Sequence, residues 1–379
     1  MSQEIKKTPI VIASILKPVD DTRMFGKLAL SITKIDKVAI TIIGYPTKNP
    51  FRVPAVTSLP FKPFKRISFR RFFARFTFLQ QVMAIKPRII ILTTHELLFV
   101  SLLAKAITGC RLIYDVQENY YRNIIHSTTF PFLIKHVVAL AVRLKEKLIG
   151  PAIDHFFLAE KSYPTELRFL PERYTVLENK VRKESIGQCS FNKKSKIDGH
   201  THLIFSGTLA TGTGVFEAIR WTKLFYEVDP KIRLTIIGYC SIPTVLKKIK
   251  AEVKDCNYIS VIGGDELIPH AQILEEISTS DGAFVTYLPN ASTSGSIPTK
   301  LFEYLACQLP IFLVPHPPWV NYCAPFHASI LLDKETSALQ LLSNMKDNQL
   351  YSQAPQEIYW EGQEASLFSV MDKILSINR

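Results

Sequence analysis

Short runs of consecutive apolar residues, each about the length of a strand, recur along almost the whole chain, with stretches of helical periodicity between them. In the first half they fall at 9–16, 38–44, 88–93, 111–115, 154–159 and 174–178. In the second half they fall at 202–206, 233–238, 258–262, 283–287, 310–314 and 329–332. The runs are continuous rather than alternating, as expected of strands covered on both faces, and such strands belong to parallel sheets with crossover helices between them. Several runs end in Gly, Asp, Thr or Ser, residues that open a loop and cap the next helix.

The pattern predicts an α/β fold of two tandem Rossmann-like, doubly wound domains, with ligands in an interdomain cleft at the carboxyl ends of the strands. Residues 185–200 are polar and have no apolar period, which marks them as a linker. The expected division is therefore a first domain at 1–184, a second at 201–345 and a tail at 346–379. In the tail, Leu367, Phe368, Val370, Met371, Ile374 and Leu375 form the apolar side of an amphipathic helix. The sequence does not say which domain receives it.

Composition narrows the class. A chain of 379 residues suits two cores, and 47% hydrophobic with 21% charged residues excludes a disordered or fibrous protein. The most apolar stretch, 130–150, is interrupted by Lys135, His136, Arg143, Lys145, Glu146 and Lys147, too much charge for a membrane-spanning helix. The apolar run near the start is short and strand-like rather than a signal peptide, so a cytoplasmic protein is expected. Cysteines at 110, 189, 240, 256, 307 and 323 are scattered, with no metal-binding spacing, and read as small buried thiols. The net charge of +13 is unevenly spread: residues 1–200 hold 33 Lys and Arg against 15 Asp and Glu, whereas 201–379 hold 13 against 18. The first half thus faces an anionic partner: nucleic acid, an acidic membrane surface or a polyanionic substrate.

Within that half, residues 61–78 carry cations at 62, 65, 66, 70, 71 and 75, seven phenylalanines and no acid. Helical spacing puts Phe69, Phe72, Phe73 and Phe76 on one face, with Arg70, Arg71 and Arg75 displaced from it. This is the make-up of a helix lying in a membrane interface among anionic headgroups. The alternatives are a core-facing helix with a solvated basic side, or single-strand stacking, for which no nucleic-acid recognition fold is present.

The most informative chemistry lies at 293–310, TSGSIPTKLFEYLACQLP. A Gly/Ser turn follows a strand and leads into a helix near Pro298. Main-chain amides of Gly295, Ser296, Ile297 and Thr299 at a helix N-terminus offer a phosphate site. Lys300 adds a mobile cation, and Glu303, one turn on, can accept hydrogen bonds from sugar hydroxyls. An ordinary capped helix with a solvent-exposed Lys–Glu pair would look the same.

The run PTKLFEYLACQLPIF is similar to a helix of the large family of retaining, nucleotide-sugar-dependent GT-B glycosyltransferases (glycosyltransferase family 4-like). Four other places resemble the same family in the same order. They are KPVDDTRMFGK at 17–27, KPRIIILTTHE at 86–96 together with YDVQENYY at 114–121, VLENKV at 176–181, and FSGTLATGTGVFEAI at 205–219. The resemblance implies transfer of a sugar from a nucleoside diphosphate sugar, held by the second domain, to a hydroxyl of an acceptor held by the first. It places Glu303 on the donor ribose and the 295–299 turn, with Gly207 and Thr208, on the diphosphate. His95 would lie near the transferred sugar, with Asp21 and Arg23 facing the cleft as catalytic candidates and Asp115, Glu118 and Arg122 as further cleft residues.

The sequence also departs from the family. Gly295 stands where the family's first glutamate would be, Thr208 and Thr213 replace the Arg and Lys that neutralise the diphosphate, and Gln117 replaces a histidine. Lost cations remove charge stabilisation from the leaving group, for which Lys300, Arg23 or Arg122 would have to compensate. No cofactor and no metal is expected, an Asp20–Asp21 metal pair being the weaker reading. The basic helix suggests a peripheral position at the inner membrane face and a lipid-linked or polysaccharide acceptor, with no nucleic-acid partner. A nucleotide-sugar-binding protein without transferase activity, or a membrane-associated adaptor, remains an alternative.

Overall fold

Each of the twelve apolar runs contains a strand, because runs rich in Ile, Val, Leu and Phe suit strands of a sheet covered by helices. A computed structural model describes residues 7–47, 51–64, 68–126, 131–186, 198–290, 294–346, 350–351 and 355–377. The chain divides into two units, 1–179 with 360–379, and 180–359. Strands are numbered in order, as are helices of eight or more residues.

The first unit contains a seven-stranded parallel sheet in the order β3-β2-β1-β4-β5-β6-β7. Its strands are β1 (Thr8–Pro18), β2 (Val38–Tyr45), β3 (Val56–Pro60), β4 (Ile89–Leu92), β5 (Arg111–Val116), β6 (His155–Leu158) and β7 (Tyr174–Val176). The sequence pattern missed β3, a half-buried edge strand whose VTSLP sequence lacks a continuous apolar run. One face of the sheet is covered by α1 (Phe69–Ile85), α2 (Leu98–Thr108) and α3 (Phe132–Ile149), which contribute Ala74, Phe78, Val82, Leu98, Ala104 and Ile149 to the core.

The opposite face receives the C-terminal helix, here numbered after those of the second unit as α8 (Glu364–Ser376). Trp360, Leu367, Met371 and Ile374 are buried against Ile10, Ile12, Ile89 and Ile91. The packing partner that the sequence left open is therefore the first unit. Polar contacts fix it there: Trp360 donates its indole N–H to Ser31 Oγ at 2.8 Å, and Glu364 accepts from Ser31 at 2.7 Å and from Lys34 at 2.7 Å.

The second unit contains a six-stranded parallel sheet in the order β10-β9-β8-β11-β12-β13. The strands are β8 (Thr201–Thr208), β9 (Ile232–Tyr239), β10 (Ile259–Gly264), β11 (Gly282–Val285), β12 (Ile311–Leu313) and β13 (Ser329–Leu331). Helices α4 (Val215–Val228), α5 (Pro243–Glu252), α6 (His270–Ser278) and α7 (Thr299–Ala306) cover it. The division after Asn179 precedes the expected boundary at 184, and the second unit extends past 345 to Tyr359, tied by a bridge between Val181 and Tyr359. Most of the expected linker, 187–197, lies outside the described residues. In both sheets the strand order reverses beside the first strand, between β1 and β4 and between β8 and β11. These reversals create the crevices where doubly wound sheets bind ligands.

Candidate functional site

In the second unit the crevice is formed by the ends of β8 and β11 and the start of α7. The loop after β8 is held by close backbone approach. A Cβ on Gly214 (φ +79°) would lie 1.6 Å from the Thr286 carbonyl oxygen, so only glycine fits. Thr286 donates its hydroxyl to the Gly214 carbonyl at 2.8 Å. Thr213 uses its hydroxyl within the loop, donating at 2.8 Å to the Thr208 and Ala210 carbonyls. It therefore staples the loop at a place where the family has a cation, while Thr208 is exposed at the end of β8.

Helix α7 follows a turn whose position is also fixed. Trp319 donates its indole N–H to the Ser296 carbonyl at 2.7 Å and meets the Tyr287 ring edge-on at 5.4 Å. Tyr304, fully buried, bonds to the Ser206 N–H at 3.0 Å and to the Ser206 hydroxyl at 2.9 Å, fastening α7 to β8. Gly295, Ser296, Ile297 and Thr299 line the half-buried approach to the helix.

Lys300 and Glu303 then point inward, which overturns the alternative of an ordinary capped helix with a solvent-exposed pair. Lys300 is 6% exposed and Glu303 5%. The Lys300 ammonium lies 4.0 Å from the centre of the Phe205 ring and 5.2 Å from that of Tyr287, and it reaches Gly207, where a Cβ would stand 3.9 Å from Nζ. Among the described residues it has no hydrogen-bond partner. Burial pushes its pKa down to about 7, with Glu303 pulling the other way. Glu303 accepts a hydrogen bond from His270 Nε2 at 2.8 Å. No local pattern marks His270, which is 33 residues away and reaches the site through the packing of α6 against α7.

In the first unit the crevice lies at the ends of β1 and β4. His95 follows β4 and is half-buried. Its Nδ1 sits 2.7 Å from Lys145 Nζ, and its ring meets Tyr120 edge-on at 4.6 Å. Burial lowers its pKa to about 4 against the pull of Glu96, so the ring is neutral, Nδ1 accepts from Lys145 and the proton is assigned to Nε2. Burial likewise brings Lys145 down to about 8. Glu96 would be raised by burial, but His95 and Arg71 draw it below the usual carboxylate range.

The remaining first-unit candidates are engaged elsewhere. Arg23, 1% exposed, forms a fork with fully buried Asp115, with Nε to Oδ2 at 2.9 Å and an NH2 contact to Oδ1 at 2.6 Å. A third bond runs to the Leu177 carbonyl at 2.8 Å. Gln117 also donates to Asp115 at 2.6 Å, and the buried pair holds the sheet end to the chain after β7. Asp21 accepts the N–H groups of Arg23 at 3.0 Å and Met24 at 2.9 Å, turning the chain into the short helical segment after β1. Asp20 takes the Thr47 hydroxyl. Arg122 pairs with Glu166 at 3.0 Å, and exposed Glu118 accepts from Asn123 at 3.0 Å. The structure thus brings together Gly207, Lys300 and Glu303 and leaves half-buried His95 as the polar centre of the first crevice.

No protein-family model and no curated protein matches the sequence. Solved structures do match the fold, over nearly the whole of both chains. Sucrose-phosphate synthase from Thermosynechococcus elongatus is similar at a TM-score of 0.69 and 12% identity, covering 98% of this chain and all of that one. WaaG, a glycosyltransferase involved in lipopolysaccharide biosynthesis, is similar at 0.64 and 11%, covering 96% of each chain. HepE from Anabaena, solved with UDP and glucose, gives 0.62 and 11%, covering 96% of this chain and 99% of that one. The chain has the GT-B fold. In this GT-B chain the two crevices fall at corresponding places, the carboxyl ends of the first and fourth strands of each sheet.

Proposed function

We propose that the protein is a glycosyltransferase that binds a nucleoside diphosphate sugar in the second unit and transfers the sugar to an acceptor hydroxyl. The observation that carries this reading is Lys300, a buried ammonium with no hydrogen-bond partner among the described residues, aimed at the end of β8 and one helical turn from a buried carboxylate. Burying an ammonium costs free energy unless an anion compensates it. A diphosphate is such an anion, and Glu303, held by His270, is placed to accept ribose hydroxyls.

On this reading the glycosyl–phosphate bond breaks as the acceptor oxygen bonds to the sugar, and the acceptor proton leaves with the diphosphate or to solvent. Lys300 Nζ, with the α7 N-terminus, offsets the charge growing on the leaving oxygen. It takes the place of the cations that Thr208 and Thr213 do not supply, and no metal is needed for that role. Retention of configuration and a lipid-linked or polysaccharide acceptor, held on the His95 side, follow from the family resemblance. The involvement of WaaG in lipopolysaccharide assembly and the UDP–glucose complex of HepE agree in kind.

A second reading, donor binding without efficient transfer, is favoured by Gly295 and by Thr213, whose hydroxyl is committed to the loop. Slow hydrolysis of the donor to free sugar separates the two. A thermal-shift panel of UDP-, GDP-, ADP- and CMP-linked sugars identifies the base. Glu303→Ala should then weaken donor binding by about 1–3 kcal/mol, and unchanged affinity would show that the donor lies elsewhere.

A further inference from the structure

The helical layer over one face of the first sheet is apolar on its outer side as well as its inner side. Four of the five phenylalanines of α1 point away from the protein: Phe69 is 89% exposed, and Phe72, Phe73 and Phe76 surround one another in edge-on and tilted contacts. This overturns the core-facing alternative, since the buried side of α1 is Ala74, Phe78 and Val82. Helix α2, packed beside α1, exposes Phe99, Leu103 and Ile107. Helix α3, packed beside α2, exposes Leu133, Val137, Leu140, Leu144 and Leu148 in a single stripe. At 1.5 Å per residue the stripe runs for roughly 22 Å. Scattered exposed leucines are ordinary, but a contiguous face spanning three adjacent helices marks an interaction surface.

The charges on these helices select the partner. Helices α1 and α2 carry no acid, and the one acid of α3, Glu146, is buried beneath the Tyr114 hydroxyl and beside Arg143. Arg70 and Lys147 are exposed, and Arg75 and Lys135 lie over the rings of Phe72 and Phe132 at 5.2 and 5.5 Å. A second copy of the chain seated on this face would set cation against cation with no acid to meet it. An anionic bilayer offers both an apolar layer and negative headgroups. Among the described residues no helix is long and apolar enough to cross a membrane, so the layer would lie along the surface.

We propose that the outer face of α1, α2 and α3 docks flat on an anionic lipid surface, with the leucine stripe of α3 as its main inserted element. The docking surface does not depend on the donor site. The same helices bracket the polar centre of the first crevice, Arg71 of α1 pairing with Glu96 and Lys145 of α3 bonding to His95. On the transferase reading, an acceptor anchored in the lipid would therefore arrive beside His95.

Sedimentation of the full-length protein with vesicles of phosphatidylcholine alone, or mixed with phosphatidylglycerol, tests the surface. The wild type should pellet with the mixed vesicles and far less with the neutral ones. The double variant Leu140→Glu/Leu144→Glu should lose about tenfold or more of that affinity at an unchanged thermal midpoint. Leu339→Glu, an exposed leucine of the second unit, should bind as the wild type does. Arg70→Gln/Lys147→Gln, which leaves the apolar face intact, should weaken binding to the mixed vesicles only. Failure of the wild type to bind mixed vesicles, equal binding by the double variant, or a lipid-independent dimer that the double variant abolishes would each overturn the proposal. Lys300→Met, disabled at the donor site, should still bind vesicles, so the two readings fail separately.

Discussion

Lys300 is a buried lysine with no hydrogen-bonded anion among the described residues, which is a cost in the resting protein. Lys300 holds its proton less tightly in the folded chain, at about 7, than at its ordinary 10.5. Between those values the unfolded chain carries more protons, so this group makes stability rise with pH across that window. Below about pH 7 its penalty is complete. Lys300→Met keeps the volume and removes the charge. It should raise the thermal midpoint, on the order of 5 °C at neutral or lower pH, and the advantage should shrink toward pH 10. Melting curves across pH check this, and a less stable variant would mean that the ammonium has a partner. The PTKLFE run showed both Lys300 and Glu303, because a turn entering a helix has a local spacing rule. His270 could not be read, since its bond to Glu303 depends on how two helices pack. The Arg23–Asp115 fork was not legible for a related reason: a loop arginine and a strand-end carboxylate look alike in sequence whether they face a ligand or each other.

At the scale of elements, continuous apolar runs identified all the central strands because burial on both faces leaves a plain mark. The edge strand β3, with one side half open, leaves none. Amphipathic helices were legible as helices but not in orientation. The period of α8 shows an apolar side, yet only the structure shows that it covers Ile10, Ile12, Ile89 and Ile91. For α1 the outward phenylalanines are the second apolar side of a helix that already has a core face, and α3 repeats the arrangement in a stretch first weighed only as a membrane span. Because Leu367 of α8 is fully buried, Leu367→Ala should destabilise the protein by about 2–4 kcal/mol in denaturant unfolding. A change under about 0.5 kcal/mol would place α8 outside the core.

For the molecule as a whole, charge and chemistry are divided between the units. The basic excess and the apolar helical face belong to the first, and the buried ammonium with its carboxylate belongs to the second. Such a division suits an enzyme that takes one substrate from a surface and the other from solution. The most direct test is calorimetric titration with UDP, GDP and ADP at pH 8, in two buffers of different ionisation enthalpy. If a diphosphate compensates Lys300, the preferred nucleotide should bind with uptake of close to one proton. Lys300→Met should bind at least about tenfold more weakly with no uptake. Equal binding by wild type and variant, or binding without proton uptake in the wild type, would contradict the assignment.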